Sequence, residues 1–220
     1  MLAPDRPKTR PRARGWIHFY SAIVAVVVGI TLTTLAATAV GAQAAFACAV
    51  YSVTIVALFG VSATYHRHTW TSDRSRVWMK RLDHSMIFLF IAGTYTPFAL
   101  LALPSSSGNW VLAVVWGGAL GGIVLKLGWP NSPRWLGVPI YVALGWVAVF
   151  IIPELLAATG VAPVVLMCVG GLFYTVGAVM YATRRPNPWP GVFGYHEVFH
   201  ACVSLAAACH CVAIWLVLFS

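Results

Sequence analysis

Seven runs of about twenty apolar residues, parted by short polar links, leave this chain few ways to fold. At 1.5 Å per helical residue a run of that length matches the roughly 30 Å hydrocarbon thickness of a bilayer. Hydrocarbon offers no water to satisfy backbone N–H and C=O groups, so each run must be a helix. The spans fall at about residues 17–41, 44–66, 83–103, 110–128, 135–152, 161–182 and 196–218. Composition agrees: 60% of residues are hydrophobic and 9% charged, where soluble domains carry about a quarter charged. The expected fold is all-α, a polytopic membrane protein made as a seven-transmembrane-helix bundle. Residues 1–15, with three prolines and five Lys/Arg, read as a disordered basic tail ahead of a transmembrane domain over 16–220. The run after that tail is longer than the roughly 7–15 residues of a signal-peptide core and is kept as a span.

Charge sets the orientation. The fourteen Lys and Arg all lie in the tail, in the links after the second, fourth and sixth spans, or at the span ends that border those links. This is the positive-inside pattern of a cytoplasmic N-terminus and an outside C-terminus. A six- or eight-span parse would scatter the same charges over both faces. A net charge of +9 suggests nucleic acid in a soluble protein, but here the basic residues meet the anionic headgroups of the inner leaflet. Membrane lipids are therefore the expected partners, nucleic acid is not, and the cell membrane is the expected location. Nothing in the sequence sets the oligomeric state. The five cysteines lie in apolar runs without a C-x-x-C pair and read as small buried hydrophobes.

Topology then makes a demand that the histidines meet. His66 closes the second span, Asp83 opens the third, and His196 and His200 open the seventh, all at the same face of the membrane. Two histidines four apart share one side of a helix. Ionisable groups at membrane depth are unfavourable unless they face the bundle interior and pair or bind something. Three neutral imidazoles with an open position form the ligand set of a catalytic zinc. Ser62, one turn before His66, lies on the same face, within reach of the ligands or a water. Glu197 makes the segment a literal H-E-x-x-H, where a glutamate can serve as general base, or it simply favours the positive N-terminus of its helix. His210 lies about 15 Å along the helix from His200 and reads as a core hydrogen-bonding residue. His18 and His68 read as interfacial, and His84 as turned away from Asp83. Gly93, Thr94 and Pro97 read as packing and a kink.

The motifs Ser62-Ala63-Thr64-Tyr65-His66, Asp83-His84-Ser85-Met86-Ile87-Phe88 leading into Ala92-Gly93-Thr94-Tyr95-Thr96-Pro97, and His196-Glu197-Val198-Phe199-His200 resemble the hemolysin III branch of the progestin and adipoQ receptor family. The resemblance runs over nearly the whole chain. It implies a seven-helix bundle with a cytoplasmic N-terminus and Zn2+ held by His66, His196 and His200. It also implies that Asp83 stands beside a water on the metal, with Ser62 supporting the ligands. The wider superfamily includes membrane hydrolases such as ceramidases.

Zinc on three histidines acidifies a water and polarises a carbonyl, and a nearby carboxylate supplies general acid/base catalysis. The sequence therefore points to a zinc-dependent hydrolase of lipid amide or ester bonds at the inner leaflet, with Asp83 and Ser62 as its catalytic residues. The alternatives are a structural zinc in a sensor or receptor and a hemolysin-like channel or cytolysin. A polar stripe through several spans would be expected of a channel, whereas the mid-membrane residues are mostly Ala, Val, Leu, Gly and Phe. No lysine stands in the seventh span to hold a retinal Schiff base.

Overall fold

The computed structural model describes residues 11–129 and 133–220 and is all-helical. Its α-helices are α1 (Trp16–Leu35), α2 (Ala42–Arg67), α3 (Asp73–Leu101), α4 (Ser105–Gly128), α5 (Arg134–Trp146), α6 (Ile152–Thr159), α7 (Val161–Thr183) and α8 (Tyr195–Leu218). A π turn (Ala36–Val40) extends α1, and a 3₁₀ segment (Val147–Ile151) joins α5 to α6. Among the described residues seven spans are long and apolar enough to cross a bilayer, the fifth being α5 and α6 together. The chain is a multi-pass membrane protein of the cell membrane.

The two ends of the bundle are built differently. At one end the chain reverses at Gly41 (φ 133°) between α1 and α2 and at Gly160 (φ 77°) between α6 and α7, where only glycine is unstrained. At the other end the links are longer and polar, at residues 68–72 and 184–194. The histidines and Asp83 belong to this second end.

Two boundaries differ from those expected. α3 begins at Asp73 rather than 83, with the Ser72 hydroxyl accepting from the Ser75 N–H at 3.5 Å. The reason is that Arg, Lys and Met are good helix formers wherever they lie, so the helix continues past the apolar stretch. Asp83 is thus three turns inside α3 rather than at its start. Residues 153–160, read as a link, are helical to Thr159 because Pro153 occupies the first turn of α6, where its missing N–H is harmless. Of the expected tail, residues 1–10 lie outside the described residues. Residues 11–15 are tied down: Arg12 and Ala13 donate backbone N–H groups to Gly191 and Val192 at 3.1 and 3.0 Å.

α3 is the central helix. It buries Asp83, Ser85, Thr94, Tyr95 and Thr96, polar groups that lipid would reject. Thr94 and Thr96 return their hydroxyls to the carbonyls of Phe90 and Ala92 at 2.8 and 2.9 Å. Gly93 lets α2 approach: a Cβ there would fall 2.0 Å from Thr54 Oγ1. Tyr95 holds the fifth span. Its hydroxyl donates to the Gly145 carbonyl at 2.6 Å and accepts the Ala148 N–H at 2.7 Å. Backbone released where α5 gives way to the 3₁₀ turn is thereby satisfied inside protein, as a non-α segment at membrane depth requires.

Candidate metal centre

Each histidine is delivered by the end of a helix. α2 ends one residue past His66, and α8 begins one residue before His196, so both enter the bundle from the polar end. His66 Nε2 lies 3.1 Å from His196 Nε2, and the ring of His200 lies 4.5 Å from that of His196 and 5.1 Å from that of His66. One ring nitrogen from each of the three lies within 4.8 Å of the others. Two ligands on a tetrahedral zinc with bonds of 2.0–2.1 Å stand about 3.3 Å apart, so the His66–His196 pair already has that spacing and the trio could close on one ion. His66 and His200 are 9% and 2% exposed, and His196 is half-buried.

Asp83 Oδ2 stands 3.8 Å from His66 Nε2. The carboxylate lies beside the three nitrogens rather than among them, close enough to act on a water at a bound ion. Ser62 is buried one turn before His66, and its hydroxyl approaches the Asp83 carboxyl. These residues open onto a cavity of about 240 Å³ whose wall also includes His84 and Tyr181.

Glu197 has a structural task. It is 1% exposed, its Oε2 accepts the Gly194 N–H at 2.8 Å at the head of α8, and its Oε1 pairs with Arg14. Both oxygens are engaged away from the histidines, so the general-base reading of H-E-x-x-H loses to the helix-terminus one. Arg14 reaches Glu197 because Gly15 takes a positive φ (80°) directly over His66. A Cβ on Gly15 would fall 2.9 Å from His66 Cβ and 2.8 Å from Arg67 Cγ. The segment before α1 therefore covers the back of the centre, with the Arg67 guanidinium 3.5 Å from the Trp16 ring centroid.

His18 corrects the expectation of an interfacial residue. It is 3% exposed, and its ring stacks on that of His200 with centroids 3.7 Å apart and planes 12° from parallel. Neither of its ring nitrogens has a hydrogen-bond partner among the described residues. The signal was available in the sequence: His18 stands at the same end of its span as His66 and His196. His68, by contrast, is exposed beside Trp70. His210 bonds the Met167 carbonyl at 3.1 Å, remote from the cluster. Cys168 is exposed and Cys209 and Cys211 are half-buried, so only Cys48 and Cys202 fit the reading of buried hydrophobes; all five are free thiols.

A second, apolar cavity of about 330 Å³ runs between α3, the fifth span, α7 and α8. Leu58, Ile87, Tyr141, Phe199 and Val203 line both cavities, which therefore adjoin. The first is polar at the histidines, and the second is walled almost wholly by apolar side chains.

A family model described as "Haemolysin-III related" matches residues 7–211. The hemolysin-3 homolog of Bacillus subtilis (strain 168) is 33% identical over 152 residues, covering 68% of each chain. Hemolysin-3 of Bacillus cereus is 30% identical over 185 residues, or 83% of this chain and 80% of that protein. The heptahelical transmembrane protein ADIPOR2 of Oryza sativa subsp. japonica is 30% identical over 185 residues, or 75% and 79%.

Proposed function

Because the chain belongs to the haemolysin III family of the progestin and adipoQ receptor superfamily, we propose that it is a zinc-dependent membrane hydrolase. Its substrates would be lipid amides or esters. The observation that carries the reading is the convergence of His66, His196 and His200, from distant parts of the chain, with a carboxylate close by but outside the donor set. The three histidines would hold Zn2+. When bound, the ion supplies Lewis acidity, polarising a carbonyl oxygen and acidifying a water.

The remaining work belongs to the chain's own residues. Asp83 takes a proton from the attacking water and returns it to the leaving amine or alkoxide as the C–N or C–O bond breaks. Ser62 aims that carboxylate. The adjoining apolar cavity would hold the acyl chain and keep bulk water away from the reacting bond. The bias of basic links supports a centre on the cytoplasmic side, where inner-leaflet lipids would reach it.

A structural zinc would favour a closed sphere of four protein ligands, and the position of Asp83 beside the histidine trio argues for an open one. The test is elemental analysis of protein purified in mild detergent, together with hydrolysis of fluorogenic lipid amides and esters. The expected result is one zinc per chain and turnover that a chelator abolishes. Purified protein without metal, or metal-loaded protein inert on every amide and ester tried, would reject it.

A further inference from the structure

The apolar cavity is walled in part by two polar side chains that hydrolysis as described does not use. Thr94, Tyr95 and Thr175 in the same wall give their hydroxyl protons to backbone carbonyls, at 2.8, 2.6 and 2.9 Å. Tyr174 of α7 and His210 of α8 stand together there, with ring centroids 5.5 Å apart. His210 is 8% exposed, and its Nδ1 has no hydrogen-bond partner among the described residues. The buried hydroxyl oxygen of Tyr174 has none either. Orphans of this kind are unfavourable where no water reaches them.

The two orphans are of opposite kinds. His210 Nε2 lies 3.1 Å from the Met167 carbonyl, which can only accept, so Nε2 carries the ring proton. In the neutral ring Nδ1 is then an acceptor. Gly170 lets the ring sit this way: a Cβ there would fall 2.5 Å from both Cδ2 and Nε2. That edge is held against α7, and Nδ1 belongs to the opposite edge. The Tyr174 hydroxyl, for its part, has a proton to donate. An alcohol completes both, because its oxygen accepts from Tyr174 while its own proton goes to Nδ1. A ketone or an ether answers Tyr174 alone, and plain hydrocarbon answers neither. The pair is also far from the histidine trio. His210 stands about 15 Å along α8 from His200, on the order of ten carbons of an extended chain with bonds of about 1.5 Å.

We propose that Tyr174 and His210 form a subsite for a hydroxyl carried partway along the hydrocarbon chain of an amphiphile seated in the apolar cavity. This deepens the hydrolase reading by naming its substrate class, lipids of hydroxylated fatty acids, and rests on that reading for the reaction though not for the binding.

The test is equilibrium binding of radiolabelled ricinoleate and oleate, fatty acids that differ only by one mid-chain hydroxyl, to the protein as purified in micelles of a neutral maltoside. The parent is expected to bind ricinoleate about tenfold tighter than oleate, the scale of two hydrogen bonds. Tyr174→Phe and His210→Leu are each expected to bring that preference close to unity. Oleate binding at the parent's level shows that the variants are folded, and Tyr174→Phe, which removes a single oxygen, decides the matter if His210→Leu does not fold. Equal binding of the two acids by the parent would assign the pair to a buried water and overturn the subsite. Binding of neither acid, or a preference that survives Tyr174→Phe, would overturn it too. The ketone analogue of ricinoleate is expected to compete less well than ricinoleate, and equal competition would overturn the hydroxyl assignment. The isomer hydroxylated beside the carboxylate is expected to compete no better than oleate; matching ricinoleate would move recognition to the histidine end and overturn the roles of Tyr174 and His210. Asp83→Asn keeps the two readings apart, since it is expected to retain the preference for ricinoleate whether or not the parent hydrolyses any lipid.

Discussion

Two regions of this bundle do different things. In α3, α8 and α2 the most apolar stretches are 67%, 56% and 44% buried, and these helices carry every proposed ligand and the carboxylate. The fifth span is 17% buried, is interrupted by a 3₁₀ turn, and contributes only walls to the two cavities. The contrast fits what the proposed hydrolase would ask of each. Groups that share an ion need positions fixed to within about half an ångström by packing on several sides. A wall that admits a lipid from the bilayer needs few close neighbours and gives way readily.

That contrast can be broken most forcefully at the ligands. His66→Ala is expected to reduce bound zinc from one per chain to near none, by elemental analysis, and to abolish turnover with it. Retention of zinc there would remove the common ion. Asp83→Asn comes next, with zinc retained and turnover lowered about 10²- to 10⁴-fold, as for loss of a general acid/base. Arg14→Ala leaves Glu197 buried without its cation. Thermal unfolding in detergent should show a loss of up to about 3 kcal/mol, toward the low end for buried pairs because Arg14 is 20% exposed.

Two smaller effects sharpen the comparison. His18→Leu removes a ring stacked on His200 without removing a ligand. Metal affinity, by chelator competition, is expected to fall about 10- to 100-fold, the usual scale for a residue that supports a ligand. His18→Phe, which keeps the stack, should recover most of it. Tyr95→Phe unties the fifth span from α3 and should cost about 1 kcal/mol of stability. Metal content is expected to be unchanged, since no ligand depends on that span.

Much of this architecture could be read before any coordinates. The span count was legible because lipid leaves the backbone a single solution, and the pairing of His196 with His200 because four residues make about one helical turn. The shared depth of His66 and the α8 pair was legible from topology. Asp83 was read at the helix start because the charged residues before it look like a link, although they are strong helix formers. The burial of His18 is not legible, because a lone histidine near a tryptophan at a span end resembles an interfacial belt. In the sequence Lys126 is legible only as one unit of positive charge at a span end.

What the amino-acid order determined by itself is how often the chain crosses the bilayer, at which face its polar residues gather, and which residues share a turn. These follow from run length, charge bias and helical spacing, all properties of one segment at a time. Only the tertiary structure decided that His18 stacks on His200, that Lys126 turns inward over Gly137, and that Glu197 serves Arg14 and the head of α8. Spans that are apolar on nearly every side carry little record of which face is buried. The rotation of each helix about its axis is therefore settled by its neighbours, and that rotation selects the side chains that meet.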